Sequence, residues 1–166
     1  MTEVANPLDS FVEPDFEKLL GGIDSKLVSS FFNYFSRFEH ALKMRGLKIV
    51  DRRGYIIGVD WGNYSPAITY PTKDKSIDDA VEFLCREPVK RQKEDLSWET
   101  APAIATVTFD DALRQVPFIR NNLFHGGKYH KPDARRDNSL LQASIVLIKA
   151  CLISDSSLLQ QFNYHP

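Results

Sequence analysis

Apolar residues recur at intervals of three and four between residues 25 and 45, which is the spacing of one buried helical stripe. The stripe consists of Leu27, Phe31, Phe35, Phe38 and Leu42. Gly46 follows directly and is a natural helix stop. The pattern therefore predicts a long amphipathic helix from Ser25 to about Arg45.

Weaker patterns occupy the segment up to residue 100. Glycines alternate with β-branched and aromatic residues at 47–70, which predicts a small β-hairpin or an irregular insertion. A short helix is predicted from Ser76 to Arg86, with Ser76 as its cap and Pro88 beyond its end. Residues 87–100 carry many charges, and we expect them to be exposed.

Two further helices are predicted in the last third of the chain. Thr108 stands three residues before Asp111 and resembles a capping box, so a helix is expected from Thr108 to about His125, which Pro117 could kink. Asp137 is the predicted cap of the last helix. The apolar stripe of that helix is Leu141, Ile145, Ile148 and Leu152. Three good helices in one chain favour a mainly α bundle.

Composition fits one globular domain. Of the 166 residues, 43% are hydrophobic and 26% charged, a size and balance typical of a single core. We divide the chain into a loose N-terminal arm at 1–14 and one helical domain at 15–166.

The apolar run 143–153 contains Ser144 and Lys149 and is too short to cross a bilayer. The first 22 residues do not resemble a secretion signal, so we expect a cytoplasmic protein without a membrane span.

Basic residues are concentrated in one segment, although the net charge of the whole chain is only −1. Residues 114–136 contain six cations and one carboxylate, a local charge of +5 with histidine neutral. Such a stripe on a neutral protein favours a polyanionic ligand at one face. The predicted RNA-binding residues in this stripe are Lys128, His130, Lys131, Arg135 and Arg136.

Arg120 and His125 lie near the end of the helix predicted for this segment, beside Gly126 and Gly127. At about 100° per residue, five steps leave them about 140° apart, so they do not share one face. Asn121 and His125 are i and i+4, so the amide can reach the imidazole and fix its tautomer. A phosphate that contacts Arg120 and His125 must therefore sit across the helix end or between two helices, as in a symmetric dimer. Such a pair also occurs in many helices by chance.

Histidine and cysteine show no spacing typical of metal ligands. Cys85 and Cys151 are far apart in predicted helices and are interpreted as buried thiols. His40 and His165 are interpreted as surface residues. We therefore predict no metal site.

The segment around Arg120 resembles the signature of the HEPN superfamily. Residues 120–128 read Arg-Asn-Asn-Leu-Phe-His-Gly-Gly-Lys, which is similar to the family's R-x(4 to 6)-H motif with a polar residue after the arginine. Residues 35–43 resemble the family's first long helix, where Glu39 and Lys43 match an E-x(3)-K element of several HEPN ribonucleases. The resemblance covers about 28–46 and 108–128, roughly a quarter of the chain.

This resemblance implies a mainly α, HEPN-like bundle of four to five helices. It implies a homodimer in which two motifs face one cleft, and a metal-independent endoribonuclease that needs no cofactor and cleaves RNA by attack of a 2′-hydroxyl. Many members of the family act as toxins or in antiviral defence of prokaryotes. An antitoxin or another regulatory protein would then be a partner.

The resemblance also implies roles for individual residues. His125 would act as general base on a ribose 2′-hydroxyl, or as acid on the leaving oxygen. Arg120 would hold the scissile phosphate and stabilise charge on its oxygens, and Asn121 would orient the base. Glu39 and Lys43 share one helix face, so they either contact Arg120 and the substrate or form a surface ion pair.

Two other classes of function stay open. The HEPN scaffold also occurs as a non-catalytic module, in which Arg120 and the basic segment would bind RNA or a nucleotide. A purely structural bundle is the third alternative. Because a binding module needs no histidine base, the presence of Arg120, Asn121 and His125 together favours catalysis.

Overall fold

The computed structural model describes residues 11–124 and 133–164. Within them the protein is mainly α-helical, as predicted, with two small antiparallel strand pairs. The helices are α1 (Phe16–Leu19), α2 (Ser25–Met44), α3 (Lys75–Arg86), α4 (Phe109–Leu113), α5 (Val116–Phe124), α6 (Ala134–Ser154) and α7 (Ser156–Asn163). The strands are β1 (Lys48–Val50), β2 (Ile56–Val59), β3 (Arg91–Gln92) and β4 (Trp98–Glu99).

Helix α6 lies at the centre of the fold and contacts α2, α3, α4, α5 and α7. Its length and composition would allow it to cross a membrane, and it is longer than the apolar run at 143–153. However, 61% of its most apolar window is buried inside the fold. A core position therefore accounts for its apolar composition.

Helix α2 confirms the sequence prediction almost to the residue. The Asp24 carboxylate caps it by accepting hydrogen bonds from the backbone amides of Lys26 and Leu27 at 2.8 and 3.2 Å. Gly46, with φ +87°, follows its C-terminal end. The fully buried side chains of α2 are Phe31, Phe38, Ala41 and Leu42. Their spacing places one face of the helix in the core.

Helix α3 also forms, but its predicted cap is wrong. Asp74, not Ser76, caps the helix, because its carboxylate accepts from the backbone amide of Ser76 at 2.8 Å. The segment 87–100 was expected to be exposed throughout, yet Pro88 and Val89 are buried. Val89 packs into the core as the chain leaves α3.

The helix predicted from Thr108 onward is in fact two helices, α4 and α5. Thr108 does cap α4: its hydroxyl accepts from the amide of Asp111 at 3.1 Å. The break between Leu113 and Val116 immediately precedes Pro117. Proline has no N–H for the carbonyl four residues earlier, and its ring crowds that carbonyl, so the chain interrupts the helix instead of kinking it.

The start of α6 differs from the prediction as well. Asp133 caps it, accepting from the backbone amide of Arg136 at 3.2 Å. Asp137, the predicted cap, lies inside the first turn and is 95% buried. Helix α7 was not predicted; it follows α6 after a single residue, Asp155, whose extended backbone separates the two helices.

The segment at 47–70 contains the hairpin that was predicted as one of two alternatives. Strands β1 and β2 pair antiparallel with Ile49 opposite Gly58, and a bulge follows Ile49. Asp51 holds the turn by accepting from the amides of Arg53 and Tyr55, both at 2.9 Å. At the other end of the chain, residues 11–14 are exposed and irregular, and the rest of the predicted arm lies outside the described residues.

Candidate functional site

Helix α5, the start of α6 and the segment between α3 and β3 meet near Arg120. Side chains of α5 and α6 hold that segment in place. Asn122 of α5 donates to the Lys90 carbonyl at 2.7 Å, and Arg136 of α6 donates to the Pro88 carbonyl at 3.0 Å. These bonds fix the end of α5 against the start of α6.

Arg120 is half-buried on α5. Its guanidinium donates to the Asn121 amide oxygen at 3.0 Å and lies 5.9 and 5.6 Å from the ring centres of Phe35 and Phe124. Within the described residues no ion pair joins it to a carboxylate. An arginine that is held by neutral groups retains its charge for a ligand, and its planar fork fits a phosphate.

Asn121 makes a contact with Arg120 that was not predicted. Its oxygen accepts from Arg120. The NH₂ of the same amide has two further donors, so Asn121 can hold Arg120 and face a second group at the same time. His125 lies outside the described residues, and its orientation by Asn121 stays a prediction.

Glu39 and Lys43 pair with each other across one turn of α2. Their side-chain oxygen and nitrogen are 3.4 Å apart, and each side chain is about one quarter exposed. Of the two arrangements predicted for them, the described contacts therefore match the ion pair. Phe35, which contacts Arg120, lies one turn earlier on the same helix.

The two described residues of the predicted RNA-binding set differ sharply. Arg135 is exposed at the start of α6. Arg136 is mostly buried and bonds to the backbone carbonyls of Glu87 and Pro88, both at 3.0 Å, where it satisfies the C-terminal end of α3. Its contacts are structural. The remaining members of the set, Lys128, His130 and Lys131, lie outside the described residues.

An exposed aromatic pair beside Arg120 was not identified from the sequence. Phe32 of α2 and Phe124 of α5 are 50% and 49% exposed. Their ring centres are 5.7 Å apart in an edge-on contact. The sequence places Phe32 off the buried stripe of α2, which could have indicated that it is exposed. Its contact with Phe124 on α5 could not be seen in the sequence.

Arg91 adds a second cation near α5 that sequence reasoning also missed. Its guanidinium lies 5.2 Å from the ring centre of Phe118, which is 40% exposed. Arg91 belongs to β3, directly after the segment that Asn122 holds. The pair therefore repeats, on the same helix, the combination of an arginine and an exposed phenylalanine found at Arg120.

The two cysteines are buried away from solvent, and a small cavity lies beside α5. Cys85 and Cys151 are both buried, as predicted, and burial raises the pKa of each thiol, that of Cys151 to about 12. A cavity of about 10 Å³ lies between α5 and α6, lined by Ile119, Leu123, Asp137, Leu140 and Leu141. That cavity has room for about one water molecule and not for a nucleotide.

Comparison of the chain with protein-family models, with curated proteins and with solved structures found no match.

Proposed function

We propose that the protein is a homodimeric endoribonuclease of the HEPN type that cleaves RNA without a metal ion. The observation that carries the proposal is the Arg120 guanidinium. It is held by Asn121 and by two aromatic rings, and within the described part of the chain it has no carboxylate partner. A phosphodiester supplies the missing negative charge.

The proposed reaction uses the ribose as its own nucleophile. His125 takes the proton of the 2′-hydroxyl while that oxygen attacks the phosphorus. The bond from phosphorus to the 5′-oxygen breaks, and the leaving oxygen takes a proton, so the products carry a 2′,3′-cyclic phosphate and a 5′-hydroxyl. Arg120 stabilises the charge that builds on the phosphoryl oxygens, and Asn121 fixes the guanidinium.

The homodimer is part of the proposal because Arg120 and His125, five residues apart, would not share one face of a helix. Two copies of the motif in one cleft would let one His125 act as base and the other as acid. Arg135 would contact backbone phosphates outside the cleft, together with Lys128 and Lys131. Arg136 is left out of this set because its guanidinium bonds to the carbonyls at the end of α3.

The biological part of the proposal rests on the resemblance alone. HEPN ribonucleases of this type act as toxins or antiviral effectors in prokaryotes, so we assign this protein to the cytoplasm and to one of those roles. An antitoxin or regulatory protein is the partner that such a role requires.

A non-catalytic HEPN module that binds RNA or a nucleotide is the second candidate. The pairing of Glu39 with Lys43 favours it, because two residues that several HEPN ribonucleases devote to the site are engaged with each other here. Arg120 would serve either function equally well. His125 distinguishes the two functions, because only cleavage requires a histidine base.

The test compares single variants of the two central residues. His125→Ala should lower the rate of RNA cleavage by about 10²- to 10⁴-fold and leave RNA affinity nearly unchanged, because a general base acts on the rate of the chemical step. Arg120→Ala should reduce both quantities. His40→Ala is the matched control, since His40 is an exposed histidine on α2, and it should change neither.

Cleavage by His125→Ala at the parent rate would remove the catalytic assignment. If the parent binds RNA through Arg120 and cuts none, the binding module takes its place. Circular dichroism of every variant separates these results from a loss of fold.

A further inference from the structure

The exposed aromatic pair, Phe32 and Phe124, is not needed to complete the core. The neighbouring Phe31 and Phe38 of α2 are fully buried, whereas half of each ring in the pair faces solvent. Phenylalanine has no polar atom that gains from this exposure. Large apolar side chains that cluster at an exposed position are typical of a binding surface.

Arg120 joins the pair to the proposed active site. Its guanidinium lies 5.6 Å from the centre of the Phe124 ring, and the Phe124 ring touches Phe32 at 5.7 Å. A positive charge and two half-exposed aromatic side chains are therefore within one side-chain length of each other. Single-stranded RNA presents the matching groups in the same order, because each phosphate is followed by a base with a flat face.

We infer that Phe32 and Phe124 form a stacking platform for the nucleobase next to the phosphate held by Arg120. This inference rests on the proposed function and adds a preference to it: the platform takes an unstacked base, so single-stranded RNA binds and a duplex does not. In the proposed dimer two Arg120 groups face one cleft, and a second copy of the chain seated directly on the rings would leave no room for the anion that offsets their repulsion. Charge therefore favours RNA as the occupant.

The experiment separates stacking from charge. The ligands are a 2′-fluoro octauridylate, which lacks the attacking 2′-hydroxyl, and an abasic octamer with the same number of phosphates. Phe124→Leu keeps an apolar side chain but removes the flat face. It should weaken binding of the octauridylate by about 5- to 150-fold, the range measured for loss of one stacked base. Affinity for the abasic octamer should not change.

Phe118→Leu is the matched control. Phe118 lies on the same helix, is 40% exposed and also carries an arginine over its ring, but it is not part of the pair. Its substitution should leave the affinity for octauridylate within about twofold of the parent. Phe32→Leu repeats the test from α2, so a fold defect in one variant does not decide the result.

Parent-like binding of octauridylate by both Phe124→Leu and Phe32→Leu would overturn the platform and leave the ribonuclease proposal standing. A shift from dimer to monomer in sedimentation, with the affinity restored at high protein concentration, would also overturn it, because the pair would then be a subunit contact. If the parent itself binds neither octamer and cleaves no RNA, the proposed function fails and the platform fails with it.

Discussion

Phenylalanine has a different role on each of the two sides of α2. On one side, Phe38 is fully buried and packs against Trp61 and Tyr64, with ring centres 6.1 and 5.9 Å away. On the other side, Phe32 is half exposed and touches Phe124. Phe38 stabilises the fold, because its side chain is buried in the core. The proposed stacking of a nucleobase would account for the second phenylalanine, Phe32.

Stability measurements can test whether the two phenylalanines have different roles. The largest loss of stability is expected for the one in the core. Phe38→Ala should lower the free energy of unfolding by about 3–5 kcal/mol, because it leaves a cavity among packed rings. Phe32→Ala should lower it by less than about 1 kcal/mol, since half of that side chain is already in water. Urea denaturation measures both. Equal losses would show that the exposed pair serves the fold and not a ligand.

A pair of adjacent arginines at the start of α6 sharpens the same distinction. Arg136→Gln should lower the free energy of unfolding by about 1.5–3 kcal/mol, because its mostly buried guanidinium donates to the Glu87 and Pro88 carbonyls at the end of α3. Arg135→Gln should leave stability unchanged and weaken RNA binding, with a flatter dependence on salt concentration. Thermal unfolding and RNA titrations at several salt concentrations test the two variants. The reverse pattern would contradict the roles given to them.

Regular helices were the most predictable part of the fold. The stripe of α2 specified its start and its buried face, because one long helix repeats the same spacing over five turns. Helix ends were less predictable. Asp133 and Asp137 are both acceptable caps by type, and what separates them is the packing of Asp137 beside Ile119 and Leu123 between α5 and α6. Such packing involves distant parts of the chain.

The helix break and the last helix show two further limits. Pro117 was visible, but whether a proline kinks or divides a helix depends on how the two halves pack. Helix α7 escaped prediction because neither glycine nor proline marks its start; the extended backbone of Asp155 alone separates it from α6.

The candidate site was predictable only where its residues are close in sequence. Glu39 and Lys43 lie one helical turn apart, and their ion pair was one of two predicted arrangements. The bond from Arg120 to Asn121 was not predicted. The contact of Phe32 with Phe124 joins two helices far apart in the chain, and the bonds of Arg136 depend on the path taken after α3. No local pattern contains that information.

The central claim is tested most directly by incubating the purified protein with single-stranded RNA in EDTA and identifying the ends of the fragments. The account predicts that RNA is cut, that the fragments carry a 2′,3′-cyclic phosphate and a 5′-hydroxyl, and that DNA of the same sequence stays intact because it lacks the 2′-hydroxyl. His125→Ala, assayed in parallel, excludes a contaminating nuclease. Cleavage that appears only after a divalent ion is added, or fragments that carry a 5′-phosphate, would contradict the account.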